Sequence, residues 1–168
     1  KVEELEEKYQ AYQYYLDAVK RDGVPYELIT KALPTIEGEV NDILAQLVDF
    51  QILFEMDGKN INNYIVYDDD NTWPLELSSG MERFISSLAI RVGLINVSNL
   101  PRSNFLAIDE GWGTMDSDNL NSVYSLFQYL KSQFQFTMIV SHIDSMRDAV
   151  DTLLEIKKEN SFSSVKFD

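Results

Sequence analysis

Apolar residues near the start of the chain recur at alternating steps of three and four positions. They are Val2, Leu5, Tyr9, Tyr12, Leu16 and Val19, with Glu and Lys between them. This spacing is the a/d seam of a heptad repeat and predicts the end of a coiled-coil helix over residues 1–22 that begins before residue 1. Because the seam is shorter than the three or four heptads that identify a coiled coil, an amphipathic helix docked on the rest of the chain fits equally well.

A second helical pattern follows the turn "RDGVPYE". Gly23 lies near the stop of the first helix, and Pro25 prevents its continuation. The second helix is expected to kink or break at Pro34. Its apolar positions are Leu28, Ile29, Leu33, Ile36, Val40, Ile43, Leu44 and Leu47.

The pattern then changes to strands and returns to a helix. The β-rich runs "DFQILFEM" and "NYIVYDD" are joined across "DGKN", which predicts a hairpin. Further on, Ser79 and Glu82 have the spacing of a capping box before a helical pattern. Ser78, Ser79 and Gly80 are therefore expected at a helix N-terminus, where backbone N–H groups and the helix dipole favour an anion. Taken alone, a plain cap explains this pattern better than an anion site.

The next part predicts a strand, a helix and a parallel strand. "NFLAID" is a continuous apolar run ending in acid, typical of a central parallel strand covered on both faces. A helix is predicted over residues 118–131, and a second buried strand, "FTMIVSH", ends on His142. Asp109, Glu110 and His142 are thus expected at one edge of one sheet. A short helix over residues 146–149 and a strand "TLLEI" follow, and the sequence does not indicate which strand "TLLEI" pairs with.

Composition and charge narrow the class of protein. The 168 residues suit a single compact domain, and no apolar run approaches the length of a membrane span. The chain has no cysteine, which excludes disulfides and thiolate metal sites, so any metal is expected to be bound by oxygen ligands. The net charge of −14 repels phosphate backbones, so composition argues against a nucleic-acid-binding face.

The three residues at the predicted sheet edge suit phosphate chemistry together. Asp109 can hold magnesium, because this ion prefers oxygen ligands and keeps part of its water shell. Glu110 can orient or deprotonate a water molecule, and His142 can hydrogen-bond a terminal phosphate. Each residue alone has an ordinary structural explanation, since acidic pairs cap helices and lone histidines are often structural. Their common edge, with the capped serines upstream, favours the functional interpretation.

The order of four motifs resembles a known family. "LSSGM", "FLAIDE", "GTMD" and "VSH" resemble the signature motif, Walker B motif, D-loop and switch histidine of ABC-type ATPases, over about residues 75–144. "DEGWGTMD" is closer to the "DEGFGTLD" style of SbcC-type double-strand-break repair ATPases, relatives of SMC proteins, than to the "DEPTSALD" style of transporters. The resemblance implies an α/β fold: the C-terminal half of a P-loop ABC-type ATPase head with a coiled-coil helical stub. In it, residues 23–168 would form the C-terminal ATPase lobe.

The resemblance also implies a role for each motif residue. These roles are ATP binding across a dimer for Ser78, Ser79, Gly80 and Asp116, magnesium binding for Asp109, and catalysis for Glu110 as general base and His142 as γ-phosphate sensor. The sequence departs from the usual signature, because Ser79 replaces its first glycine and Met81 occupies its last position. Trp112 and Met115 replace the more usual Phe and Leu.

One motif that ATP binding requires is missing. The chain contains no G-x-x-x-x-G-K-[ST] sequence, which cradles nucleotide phosphates. The resemblance implies that an N-terminal P-loop lobe of the same protein supplies it. We therefore expect that the chain alone neither binds ATP tightly nor hydrolyses it.

The resemblance implies partners and a location. A second head would form a homodimer around ATP and magnesium, an SbcD-type nuclease subunit would associate, and DNA would be bound through the full complex, with no membrane. The location would be intracellular, cytoplasmic or nuclear. Two other classes of protein stay open. One is a non-catalytic assembly module of an SMC-like complex. The other is a metal phosphoesterase that uses Asp109, Glu110 and His142, although a single histidine makes a poor two-metal site.

Overall fold

The computed structural model describes residues 2–58, 60–109 and 120–167. It divides into two compact units, unit 1 over Lys1–Leu100 and unit 2 over Pro101–Asp168. In the described residues, unit 1 combines long helices with an antiparallel sheet, whereas unit 2 combines a parallel strand pair with a helix and a hairpin.

The described residues of unit 1 form three long helices. They are α1 (Val2–Val19), α2 (Val24–Leu44) and α3 (Gly80–Val97). The turn between α1 and α2 lies where the sequence predicts it, with Pro25 in the first turn of α2, where its missing N–H costs nothing. Helix α2 continues through Pro34 instead of breaking there. It ends before Leu47, the last apolar position of the predicted pattern.

Helix α1 exposes its heptad seam. The six seam residues are between 51% and 72% exposed, and no described residue of α1 is buried. The alternative of an amphipathic helix docked through this seam therefore finds no support in the described part of unit 1. The seam is an apolar stripe of the kind that a second helix covers in a coiled coil.

An antiparallel sheet follows α2. It has the order β1 (Gln51–Met56), β2 (Ile61–Asp68), β3 (Asn71–Pro74), so the predicted hairpin is confirmed and β3 is an addition to it. Gly58 in the hairpin turn has a φ of +90°, which favours glycine. The β2–β3 pairing shifts register between Val66 and Asp68, which leaves Tyr67 in a β-bulge.

The core of unit 1 lies between α2, α3 and this sheet. Its most deeply buried apolar side chains, each at most 1% exposed, are Val40, Leu44, Ile52, Ile65, Ile85, Ala89 and Val92. The two helices approach closely at Gly93, where an added Cβ atom would lie 2.9 Å from Val40 Cγ2. Parts of α2, α3 and the sheet thus cover one another's apolar side chains within unit 1, and that burial stabilises it.

Unit 2 contains the predicted strand, helix and parallel strand. They are β4 (Phe105–Asp109), α4 (Leu120–Gln133) and β5 (Phe136–Val140), and β4 pairs with β5 in parallel. A short 3-10 helix (Asp144–Ala149) follows. The strand whose partner the sequence did not indicate, β6 (Leu154–Glu159), forms an antiparallel hairpin with β7 (Phe162–Phe167).

The parallel pair is covered on only one face by the described residues. Helix α4 buries Val123, Leu126, Phe127 and Leu130. The opposite face of the strands carries Phe105, Phe136, Met138 and Val140, which are between 44% and 58% exposed. The prediction of a strand covered on both faces is therefore wrong for the described residues, because they supply one covering helix only. We call these four residues the open face.

Candidate functional site

The carboxyl edge of the parallel pair brings two of the predicted site residues together. Asp109, the last residue of β4, pairs with Val140, the last residue of β5, and His142 follows two residues later. Asp109 and His142 are both exposed. The expectation of a common sheet edge is thereby confirmed for Asp109 and His142, whereas Glu110, its third residue, lies outside the described residues.

Hydrogen bonds and ion pairs hold the loop that carries His142. The Ser141 hydroxyl accepts a hydrogen bond from the Ile143 amide at 3.1 Å. Further along, the Arg147 guanidinium contacts Asp144 at 3.0 Å and Glu155 of β6 at 2.7 Å. These contacts raise the pKa of Arg147, with Glu155 the larger cause, and lower the pKa of Glu155. Arg147 therefore ties the 3-10 helix that follows His142 to β6.

Residues 110–116 of the predicted site motifs lie outside the described residues. They include Glu110, Trp112, Met115 and Asp116. The assignments of Glu110 as general base and Asp116 as a residue of the dimer interface therefore stay predictions.

The signature-like segment lies at the start of α3, as the sequence predicts. Ser79 is the N-cap residue, and its hydroxyl accepts the Glu82 amide at 3.3 Å. In return Glu82 Oε2 accepts the Ser79 amide at 2.6 Å. This capping box leaves the amides of Gly80 and Met81, the first two helical positions, without an intrahelical acceptor. They are the groups that this helix can offer to an anion.

Ser78 is held differently from Ser79. It is 8% exposed, and its hydroxyl donates to the Leu75 carbonyl at 2.6 Å. Arg83, on the first turn of α3, donates to the Glu76 carbonyl at 3.3 Å. The hydroxyl proton of Ser78 is therefore engaged by the turn before α3, and a phosphate could use this hydroxyl as a donor only after it rotates.

Sequence reasoning missed one residue next to this segment. Tyr67 donates its hydroxyl to Glu82 Oε1 at 2.6 Å, and its ring stacks on Trp73 with a centroid distance of 5.4 Å. Burial and the bond to Glu82 raise the pKa of Tyr67 to about 12. Burial alone would raise the pKa of Glu82, but the hydrogen bonds from Tyr67 and Ser79 outweigh it and lower that pKa. Only the bulge in β2 could have indicated Tyr67, and no sequence pattern predicts that bulge.

The described side chains form no multidentate metal site. Among residues 2–58, 60–109 and 120–167, no group of three or more Asp, Glu or His side chains could hold a metal ion. Asp109 remains as a single exposed carboxylate. Within the same residues, no helix is long and apolar enough to cross a membrane.

Relatives were found among curated proteins, although no family model matches the chain. The chain is 36% identical over 170 residues to the uncharacterized protein R555 of Acanthamoeba polyphaga mimivirus, covering 92% of this chain and 13% of that protein. It is 32% identical over 93 residues to the SbcC subunit of the nuclease SbcCD of Staphylococcus aureus, covering 53% of this chain and 9% of that protein. The chain therefore spans a small part of the length of each relative.

Solved structures share the fold. One, from work on ATP-driven dimerization and DNA-stimulated activation of SMC ATPases, matches with a TM-score of 0.68 and 15% identity over 84% of this chain and 88% of that chain. The Smc head domain of Pyrococcus furiosus, with an extended coiled coil and bound to the C-terminal domain of ScpA, matches with a TM-score of 0.66 and 16% identity, covering 98% of this chain and 42% of that chain. These matches confirm the predicted α/β class and the head fold.

Proposed function

We propose that this chain, a partial homologue of the SbcC nuclease subunit with the fold of an SMC ATPase head, is the C-terminal lobe of an SMC-like ABC ATPase. Together with an N-terminal P-loop lobe, it binds and hydrolyses ATP, and this drives the engagement of two heads in DNA double-strand-break repair. In this proposal residues 1–22 end a coiled-coil helix and residues 23–168 form the lobe.

The observation that carries the proposal is the common edge of Asp109 and His142. Ligands of parallel α/β sheets bind beyond the carboxyl ends of the strands, and both residues lie there. Both side chains are exposed at this edge, so a ligand could reach them there. The edge therefore suits a phosphate ligand with its metal.

The donor set fits magnesium bound jointly with phosphate. This ion is held by one or two carboxylates together with substrate phosphates and water, so the single exposed carboxylate of Asp109 suffices. Magnesium would neutralise charge on the phosphates. Glu110 acts in the proposal as the base that takes a proton from the attacking water, and His142 donates a hydrogen bond to the γ-phosphate.

The N-terminus of α3 serves the second head in this proposal. The amides at Gly80 and Met81, presented by the Ser79 cap, would contact the γ-phosphate of a nucleotide bound by the opposite P-loop. Asp116 would act across the same dimer interface. ATP binding then joins two heads, and hydrolysis separates them.

The open face is an argument for an additional lobe that covers it. Parallel strands are normally covered on both faces, and four apolar side chains of β4 and β5 are about half exposed. We propose that the P-loop lobe covers this face. The motion of the engaged heads would reach an SbcD-type nuclease and DNA through the coiled coil. Because the chain has a net charge of −14, DNA-binding surfaces would lie on other parts of the complex.

A reconstitution tests the function. The chain is mixed with the P-loop lobe that the proposal requires, and ATP hydrolysis is measured for the wild type, Glu110→Gln and Ser78→Arg. Activity only in the mixture, and lost with either substitution, is the expected result. An associated but inactive wild-type mixture would favour the non-catalytic assembly module. Magnesium-dependent phosphodiesterase activity of the chain without ATP would favour the phosphoesterase.

A further inference from the structure

At the N-terminus of α3, hydrogen bonds link two side chains, those of Tyr67 and Glu82, to the backbone amide of Ser79. Tyr67 donates to Glu82 Oε1 at 2.6 Å, while Glu82 Oε2 accepts the Ser79 amide at 2.6 Å. One carboxylate therefore joins strand β2 to the residue that caps α3. Its two oxygens are used separately, so the position of one bond constrains the other.

The bulge in β2 directs Tyr67 toward α3. Val66 pairs with Thr72 and Asp68 pairs with Asn71, so Tyr67 is the extra residue between two paired positions. Bulges commonly re-aim a side chain in this way. Asp68 stabilises the turn beyond the bulge by accepting hydrogen bonds from the amides of Asp70 and Asn71, both at 3.0 Å.

Aromatic packing limits the movement of the Tyr67 ring. The ring stacks on Trp73 of β3 at 5.4 Å and lies at 5.6 Å from the ring of Phe50. A hydroxyl on a ring fixed by two neighbours loses little further conformational freedom when it donates. Its hydrogen bond to a carboxylate is also of the stronger, charge-assisted class.

We propose that Tyr67 is a positioning residue for the signature-like segment 78–80, acting through Glu82. Its hydroxyl holds the carboxylate in the rotamer that receives the Ser79 amide, and this fixes the direction of the Gly80 and Met81 amides. The effect on ATP turnover rests on the proposed function, whereas the effect on the α3 N-terminus does not.

The test on the chain alone uses Tyr67→Phe, which keeps the ring and removes the hydroxyl. Nuclear magnetic resonance of the 168-residue chain should show displaced amide signals for Ser79 and Gly80. The carboxyl ¹³C titration of Glu82 should move to higher pH, because a donor to the charged form is lost. Tyr64→Phe, on the same strand, is the matched control and should leave both measurements unchanged.

Glu82→Gln is the rescue variant. Glutamine can accept the Ser79 amide through its oxygen and donate to the Tyr67 hydroxyl through its nitrogen, so it should keep the amide signals near their wild-type positions. Glu82→Ala should displace them, and adding Tyr67→Phe to Glu82→Ala should cause no further change. Independent effects of the two substitutions would contradict a relay through Glu82.

The test on turnover uses the mixture with the P-loop lobe. We expect Tyr67→Phe to raise KM for ATP about 5-fold, equivalent to ~1 kcal/mol, with kcat within about 2-fold of wild type. Unchanged KM in an active mixture would overturn the positioning role in turnover. If the wild-type mixture is inactive, the proposed function fails, and the amide and carboxyl signals alone decide the role of Tyr67 at the α3 N-terminus. Signals identical to those of Tyr64→Phe would overturn that role as well.

Discussion

The two units differ in how they cover their sheets. In unit 1 the antiparallel sheet packs against α2 and α3, and Ile52 and Ile65 are at most 1% exposed. In unit 2 the parallel pair has α4 on one side and the open face on the other. An antiparallel sheet tolerates one solvated face, but a parallel pair is normally buried on both.

This difference indicates that unit 1 can fold on its own, whereas the sheet of unit 2 needs a partner to cover it. Unit 1 has the features of a self-sufficient core, and it carries a capped helix start of known geometry. Unit 2 carries Asp109 and His142 on a sheet that the described residues leave half covered. We therefore expect changes in unit 1 to alter stability, and changes on the open face to alter association.

The largest effect on stability should come from Ile65→Ala in β2. Its side chain is fully buried, so removing it should lower the free energy of unfolding by about 2–5 kcal/mol. Ile156→Ala in β6, where the side chain is 66% exposed, should cost less than about 1 kcal/mol. Urea unfolding followed by fluorescence and circular dichroism measures both. Equal losses of unfolding free energy for the two variants would contradict the proposed difference in burial between the two sheets.

A smaller effect is expected at the contact between α2 and α3. Gly93→Ala places a Cβ atom 2.9 Å from a methyl group of the buried Val40, so it should destabilise unit 1 by about 1–2 kcal/mol despite the better helix propensity of alanine. Gly38→Ala, in the exposed part of α2 with no atom within 4 Å of the added Cβ, is the matched control. It should stabilise by about 0.5–1 kcal/mol. Thermal unfolding compares the two, and a stabilising Gly93→Ala would mean that the helices are not closely packed.

The smallest expected effect is on the stability of unit 1 at acidic pH. The folded-state pKa of Glu82 is lowered, so its contribution to stability is present above its unfolded pKa and is lost as pH falls through the folded value. Because Glu82 is only partly buried, the contribution should stay below about 1 kcal/mol. In a Trp112→Phe background Trp73 is the only tryptophan and reports on unit 1. Between about pH 6 and pH 3, Glu82→Gln should lose less stability than Glu76→Gln, an exposed control; equal losses would contradict the assignment.

Local patterns in the sequence predicted much of the fold. The first helix, the hairpin at Gly58 and the capping box of Ser79 and Glu82 each depend on residues close in the chain, and each is present. The shared edge of Asp109 and His142 was also predictable, because a helix between two strands makes them parallel neighbours.

Features that depend on tertiary packing were not predictable. Pro34 lies inside α2 although proline usually interrupts a helix, and β7 pairs with β6 although no strand was predicted for its sequence, "FSSVKF". The bulge that brings Tyr67 to Glu82 depends on the register of β2 and β3, which no single run of residues reveals. The open face was predicted to be covered because hydrophobic periodicity indicates that a face is apolar, without indicating which chain segment covers it.

The most direct test of the account measures the binding of the P-loop lobe to the chain by calorimetry. Met138→Glu places a charge on the open face, where burial in an interface would be costly, and Tyr124→Glu on the exposed side of α4 is the matched control. We predict that Met138→Glu weakens binding about 100-fold, equivalent to ~2.8 kcal/mol, and that Tyr124→Glu changes it by less than about 3-fold. Wild-type affinity for a folded Met138→Glu chain would contradict the claim that the P-loop lobe covers the open face.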